Sequence, residues 1–392
     1  MLIGIVGAPN KGKSTLFSAM TMVDAEIANY PFTTINPNFG ITYATKQCVE
    51  KELSTKCNPR NSLCIDGVRM LPVNVVDVAG LVEGAHLGKG MGNQFLNDLA
   101  GADALIIVSD ASGSTDQNGN QAVQSDPVKD VEIVISEITE WFASIIKKNI
   151  GAVSRKEDGL SALATVLTGI GATKAQIESA AAESYLSLSN ITWSDEDIKA
   201  FASSLLKANK PMVIAANKSD SSAAGSNIKK LEEHFGKEKV FACSAAIELA
   251  LRKASKKGLI DYKPGSRDFN ILSNGISGEQ AEAIEYMRSF VKNAGTGVQE
   301  LVNHVVFDVL GNIVVYPVED ENKYSDHFGN VLPDAILIRK GSTAQDLAYK
   351  IHTDLGAGML YAINAKTRMR LAKSYVLEDS DVIKIVSAAK KK

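Results

Sequence analysis

Apolar residues along this chain fall into two textures. Five short, nearly continuous apolar runs, Leu2 to Val6, Leu71 to Asp77, Ala104 to Asp110, Met212 to Asn217 and Val240 to Ser244, all but the first end at a polar or small residue. Runs of this kind predict strands of a mostly parallel sheet covered by helices on both faces, and in such sheets ligands sit beyond the carboxyl ends of the strands. Between the third and fourth runs, from Pro127 to Asn209, apolar residues recur at helical spacing instead. Val131, Val134, Ile135, Ile138, Trp141, Phe142 and Ile145 form one stripe, and residues 161–167, 175–186 and 195–206 give further helices. Ser194-Asp195-Glu196-Asp197 puts acids in a first helical turn, where the helix dipole favours them. Helices are also predicted over 249–257 and 279–291. From His304 the texture changes again: Asn312 to Glu319, Ala335 to Arg339, Met359 to Asn364 and Asp381 to Val386 read as strands. They surround one helix, Thr343 to Leu355, capped by Ser342 or Thr343. Short strands with one helix make a compact α+β module.

The expected organisation is therefore an α/β domain over 1–126, a helical insertion over 127–210, the rest of the α/β domain with a helical linker over 211–303, and a small α+β domain over 304–392. The 392 residues suffice for two to three cores. A formal net charge of −3 gives no global attraction to nucleic acid, so an RNA contact needs a local basic patch. Arg252, Lys253, Lys256 and Lys257 offer one, read either as a solvated helix end or as an RNA contact. No apolar run reaches the roughly 18 residues of a membrane span, and nothing resembling a signal peptide precedes Leu2, so a cytoplasmic protein is expected. Cys48, Cys57 and Cys64 lie in one short region, with Cys243 apart. Their wide spacing and the lack of histidine among them favour reduced structural thiols over zinc, with a disulfide reserved for a hyperthermophilic source. The closing Lys390-Lys391-Lys392 reads as a frayed tail.

The first run leads into GAPNKGKS, Gly7 to Ser14, and then into a helical stretch. Strand, glycine loop, helix is the context in which G-x-x-x-x-G-K-[ST] is a phosphate loop. Gly7, Ala8, Pro9, Asn10, Lys11, Gly12, Lys13, Ser14 and Thr15 are its residues. Backbone N–H groups converge on phosphate oxygens, the helix start adds its positive end, Lys13 reaches the β- and γ-phosphates, and Ser14 ligates Mg²⁺. Asp77-Val78-Ala79-Gly80 follows the second run. Its Asp77 suits the Mg²⁺ shell, through water, and Gly80 N–H suits the γ-phosphate, a contact that exists only with the triphosphate and so can drive a switch. Asn217-Lys218-Ser219-Asp220 ends the next strand. The Asp220 carboxylate suits the N1–H and 2-amino donors of guanine, a pair that adenine lacks. Asn217 braces the loop and the Lys218 stem covers the base. Ser244, Ala245 and Ala246 end the last run, where a backbone N–H suits guanine O6. Thr33 and Thr34, in a Pro- and Asn-rich stretch that reads as loop, are candidates to close over Mg²⁺ and the γ-phosphate.

The segments GAPNKGKS, NYPFTTINPNFG, DVAGLVEGAHLGKGMGNQFL, NKSD and CSAA resemble the Obg-related, YchF-type translation-factor GTPases in their archaeal form. The stretch VYPVEDEN…VLPDAILIRKGSTAQDLAYKIHTDL resembles a TGS domain, a small β-grasp module. The resemblance implies a P-loop GTPase domain with a TGS-like β-grasp domain, Phe32 to Asn36 lining the nucleotide, Thr34 on Mg²⁺, and the ribosome or its RNA as partner. Many bacterial and eukaryotic proteins of this type lack the last acid of N-K-x-D and prefer ATP; Asp220 here favours GTP. Ras-like enzymes place a water-orienting glutamine after D-x-x-G, whereas this chain has Leu81. Water must be placed by a backbone group, by the Val82 to Gly92 loop, with His86 one candidate, or by a partner. Unassisted turnover is then expected within an order of magnitude or two of about 10⁻⁴ s⁻¹, with Lys13, Thr34 and Gly80 as the catalytic set. Asn10 is either a loop cap or a ligand of an activating K⁺.

The reading reached is a GTP-binding, slowly hydrolysing switch protein, with a monomer favoured. Its rivals are a YchF-type ATPase and an RNA- or ribosome-binding protein for which nucleotide is only a ligand.

Overall fold

The computed structural model describes residues 1–21, 38–60, 62–78, 80, 84, 99–189, 191–272 and 277–388. The segments carrying Phe32, Thr33, Thr34, Leu81, His86 and the terminal lysines lie outside them. The chain divides into two compact units. One is formed chiefly by Met1–Met22 and Asn74–Leu301, the other by Tyr43–Val73 and Val302–Lys392.

The apolar runs become strands β1 (Leu2–Val6), β4 (Val68–Asp77), β5 (Ala104–Asp110), β6 (Met212–Asn217) and β7 (Val240–Ala242), joined by β2 (Phe39–Gln47) and β3 (Leu63–Ile65). The sheet order is β2-β4-β1-β5-β6-β7, with β3 paired to β4. β1 runs parallel to β4 and β5, β5 to β6, and β6 to β7. Every residue of β5 is buried, which is why its sequence shows no polar alternation. The register sets Asp110 opposite Asn217, so two polar strand ends lie side by side. Gly4 in β1 permits this packing, because a Cβ there would lie 2.9 Å from Leu105 Cδ2.

The helical stretch begins with the helix Pro127–Val153, started by Pro127 and capped by Asp126, whose side chain accepts from Val128 N–H. Its stripe, Val131, Val134, Ile138, Trp141 and Phe142, packs with Leu105 and Ile107 of β5 and with Phe201 and Leu205 of the helix Asp195–Asn209 in one continuous core. At about 1.5–3 kcal/mol per fully buried large apolar side chain, this contact holds the stretch to the sheet. Ser194 and Asp197 form the capping box of the helix Asp195–Asn209.

After β7, the short strands β8 (Ile260–Asp261) and β9 (Asn270–Ile271) pair with each other, and in the other unit β10 (Asn312–Val318), β11 (Ile336–Arg339), β12 (Met359–Asn364), β13 (Arg370–Leu371) and β14 (Val382–Ser387) form a sheet of order β11-β10-β14-β12-β13. β10 is parallel to β14 and antiparallel to β11. Leu347 and Ala348 of the helix Ala344–Ile351 pack on Ile313, Val315, Met359 and Ile383. The expected single helix over 343–355 is two, Ala344–Ile351 and Thr353–Ala357. His352 between them is extended (φ −162°, ψ 141°), and its ring accepts from Asp354 N–H to start the second.

β3 and β4 form a hairpin that the apolar pattern does not announce. Asp66 (φ 50°) and Gly67 (φ 80°) make its two-residue turn, and Ile65 pairs with Val68. Both turn residues have positive φ, the geometry that favours Asp-Gly. Arg60 bonds Asp334 at 2.8 Å and Lys366 bonds Glu52 at 2.7 Å, tying residues 43–73 to the C-terminal sheet. The 303/304 bound expected from the sequence falls inside continuous helical chain, since Val298–His304 runs on into a π-helical turn at Val305–Val309.

Candidate functional site

The loop after β1 is fixed by its glycines. Gly7 (φ 152°) lies so close to β5 that a Cβ would stand 2.6 Å from Val108 O, and a Cβ on Gly12 (φ 91°) would strike the Asn217 amide. Asn10 adopts φ 60° and its amide donates to Gly119 O at 2.8 Å, so one end of the side chain is engaged. Pro9 packs on the same glycine, and Ala8 is buried. Lys11 turns inward. Its fully buried ammonium donates to Thr115 O (2.9 Å) and pairs with the buried Asp130 (2.8 Å). That side chain is committed to these partners and unavailable to a ligand. Burial raises the Asp130 pKa, against the pull of Lys11.

Lys13 and Ser14 begin the helix Lys13–Thr21, with Thr15 half-buried behind them. Lys13 Nζ donates to Ala8 O (2.9 Å), and a Cβ on Gly80 would lie 3.2 Å from that nitrogen. Lys13 and Gly80 of the D-x-x-G segment thus lie side by side. Burial pulls the Lys13 pKa below its ordinary value, with Asp77 opposing and Lys11 adding to the fall. A polyphosphate placed there would oppose that fall and favour the charged form. Ser14 Oγ donates to Asp77 Oδ2 at 2.7 Å. The other carboxylate oxygen, Asp77 Oδ1, is buried with no hydrogen-bond partner among the described residues. A hydroxyl and a carboxylate with one buried, unpaired oxygen form the hard donor set that suits Mg²⁺ and its water shell.

Asn217, at the end of β6, braces two loops at once. Its amide donates to Lys11 O (3.0 Å) and its carbonyl accepts from Ala245 N–H (3.1 Å). Asp220 Oδ1 accepts from Ser244 Oγ at 2.6 Å, and Ser244 caps the helix Ala245–Lys256. Ala246 is exposed in that helix's first turn. Lys218 (φ 62°) sends its ammonium to Asp110 Oδ2 at 2.8 Å, which orients the side-chain stem.

Asp110 is the residue that motif reading missed. It is buried and also accepts from Ser112, Ser114 and Thr115. Burial pushes its pKa up, but the hydrogen bonds from Lys218, Ser112 and Thr115 outweigh that and hold it at about 2. The available signal was an acid ending a strand in line with Asn217. A correction concerns the basic run: Arg252 is not on a solvated face. It is buried, bonding Glu248 at 2.5 Å and Met20 O at 3.3 Å. A guanidinium at that helical position meets the core side, and Glu248 one turn earlier neutralises it.

Comparison with known proteins decides the lineage. A GTP-binding protein of Methanocaldococcus jannaschii is 52% identical over 395 residues, spanning 99% of this chain and 100% of the relative. The chain belongs to the YchF-type, Obg-like GTP-binding proteins. Residues 2–145 match the 50S ribosome-binding GTPase family, 215–320 the Obg-like GTPase YGR210-like, G4 motif-containing domain, and 328–387 the TGS domain. The crystal structure of a GTP-binding protein from Pyrococcus horikoshii is 40% identical, with TM-score 0.79 over 99% of this chain and 100% of that one. The ribosome-binding ATPase YchF of Bacillus subtilis is 27% identical, with 97% of each chain covered. The Schizosaccharomyces pombe YchF GTPase, 21% identical with TM-score 0.59 over 98% and 97%, shares the fold. The fold of this YchF-type chain is thus the P-loop GTPase fold with a TGS domain. No helix among the described residues is long and apolar enough to cross a membrane.

Proposed function

We propose that this YchF-type protein binds GTP with Mg²⁺, hydrolyses it slowly, and uses the difference between GTP and GDP to control engagement of the ribosome or its RNA. The observation that carries the guanine reading is Asp220, held by Ser244 beside a phosphate loop that Asn217 braces. Ser244 occupies one oxygen of the carboxylate, fixing its plane and leaving acceptor capacity for the paired donors of guanine. Lys13 neutralises phosphate charge, Gly80 meets the γ-phosphate, and Ser14 and Asp77 hold Mg²⁺ with Thr34 completing the set. Bound Mg²⁺ neutralises charge on the phosphate oxygens. Leu81 supplies no water-orienting group, which favours slow turnover until a partner intervenes. The chain's four-part organisation and a K⁺ ligand at Asn10 belong to the same reading.

The ribosome enters through the ribosome-binding names of relatives such as the Bacillus subtilis protein. ATP as substrate is the second reading, favoured by the same relatives being named ATPases. Single-turnover hydrolysis of labelled GTP by the full chain, with co-sedimentation on ribosomes in GDP and in a non-hydrolysable GTP analogue, tests the proposal. Slow GTP cleavage and state-dependent sedimentation are expected; equal sedimentation in both states removes the switch.

A further inference from the structure

The hairpin region contains a cluster that the nucleotide chemistry does not use. Cys48 follows β2, Glu50 and Cys57 lie in the next loop, and Cys64 sits in β3. Three sulfurs and one carboxylate oxygen from these residues all lie within 4.8 Å of one another. Cys48 Sγ and Cys57 Sγ are 4.0 Å apart. A tetrahedral zinc with Zn–S bonds near 2.3 Å needs ligand-to-ligand edges of about 3.8 Å, so small adjustments bring the set into coordination. The backbone already holds the loop in this shape. Cys57 N–H donates to Glu50 Oε2 (3.0 Å), a carboxylate that keeps acceptor capacity for a metal, and Cys48 N–H donates to Gly67 O (2.8 Å) across the hairpin turn.

The surroundings point the same way. Arg69 is the cross-strand partner of Cys64 and is fully buried. Its Nη atoms reach Ser62 Oγ (3.0 Å) and Leu332 O (2.7 Å); among the described residues no carboxylate lies at ion-pair distance, Glu50 of the cluster acting on it only at longer range, and its Nε is unpaired. It stacks over Tyr316, 5.4 Å from the ring centroid, and the buried Tyr316 hydroxyl lies against Cys48 and Arg69 without a well-formed hydrogen bond. A buried guanidinium without a close counter-charge is costly, as are buried donors without acceptors. Three thiolates and a carboxylate on a divalent cation leave a net charge of −2, which more than offsets the single positive charge of Arg69 and supplies sulfur acceptors for such donors.

The geometry points to a structural zinc site formed by Cys48, Glu50, Cys57 and Cys64, with Arg69 and Tyr316 as its outer partners. Four protein ligands close the coordination sphere, so the ion staples residues 48–67 into shape and does no catalysis. Soft sulfur ligands exclude Mg²⁺ and select a zinc-like ion.

The test is metal analysis of the full chain, purified without a metal-affinity tag, then loaded with Zn²⁺ under reducing conditions and desalted. One zinc per chain is expected, and Co²⁺ in its place should give thiolate-to-metal charge transfer with tetrahedral d–d absorption. Cys57→Ser should abolish stoichiometric binding, and Cys243→Ala should retain it. Should Cys57→Ser fail to fold, Glu50→Gln keeps all three thiols and should weaken zinc by roughly tenfold or more in chelator competition. Tyr316→Phe, which leaves the ligand set intact, should weaken it by about tenfold with the charge-transfer band preserved. Less than a tenth of an equivalent after loading, cobalt binding without charge transfer, or a Cys48–Cys57 disulfide in the freshly purified chain would each overturn the site.

Discussion

The nucleotide site and the cysteine cluster are both built from short-range polar contacts, yet they leave different atoms unpaired. Around the phosphate loop the functional side chains hold one another: Asn217 braces Lys11 and Ala245, Ser244 holds Asp220, and Lys218 is fixed by Asp110. Among the described residues the unpaired atoms there are acceptors, Asp77 Oδ1 and Asp130 Oδ1. Beside the cysteines the unpaired atoms are donors, Arg69 Nε and Tyr316 Oη. An unpaired acceptor suits a cation and its water; unpaired donors beside thiols suit anionic sulfur. The contrast teaches that the kind of ion a site suits is read from the sign of what surrounds it as well as from candidate ligands.

The largest expected effect sharpens the first half of that contrast. If the loop is pre-assembled, its buried ion pair must be structural. Lys11→Met should cost about 3–5 kcal/mol in chemical denaturation, because Asp130 is left buried and unpaired. Lys11→Met combined with Asp130→Leu should recover most of that loss. A single variant as stable as the parent would mean that the loop is not held from within.

Asp110→Asn comes next. The folded pKa of about 2 lies below the ordinary 3.8, so the group stabilises the fold fully above about pH 4 and loses that contribution as pH falls toward 2. The variant should be less stable by about 2 kcal/mol near neutral pH, and the gap should close on acidification. A gap independent of pH between 4 and 2 would assign the loss to packing. Ser244→Ala is the smallest, about 1 kcal/mol from the lost helix cap, with a modest loss of GTP affinity because Asp220 is no longer oriented. Unchanged GTP binding would break the claim that the site is assembled before its ligand arrives.

Much of the first region was legible because its chemistry is local in sequence. GAPNKGKS, Asp77 to Gly80 and Asn217 to Asp220 each sit at a strand end, and continuous apolar runs mark those strands. The second region was less so. The β3–β4 hairpin depends on Asp66-Gly67, a two-residue signal, and β2 alternates weakly. Cys48, Glu50, Cys57 and Cys64 converge only once that turn is closed; Arg69 joins them across the hairpin, and Tyr316 from a distant position. Arg252 was misplaced for the same reason: a charge run in one dimension does not say which member faces inward. The break at His352 followed from backbone geometry that helical periodicity does not encode.

The most direct measurement is competition of GTP and ATP against a fluescent GDP analogue on the full chain with Mg²⁺, repeated for Asp220→Asn. The account predicts that GTP displaces the probe at roughly 100-fold lower concentration than ATP and that the substitution collapses the ratio. ATP displacing the probe as well as or better than GTP from the unaltered chain would contradict it.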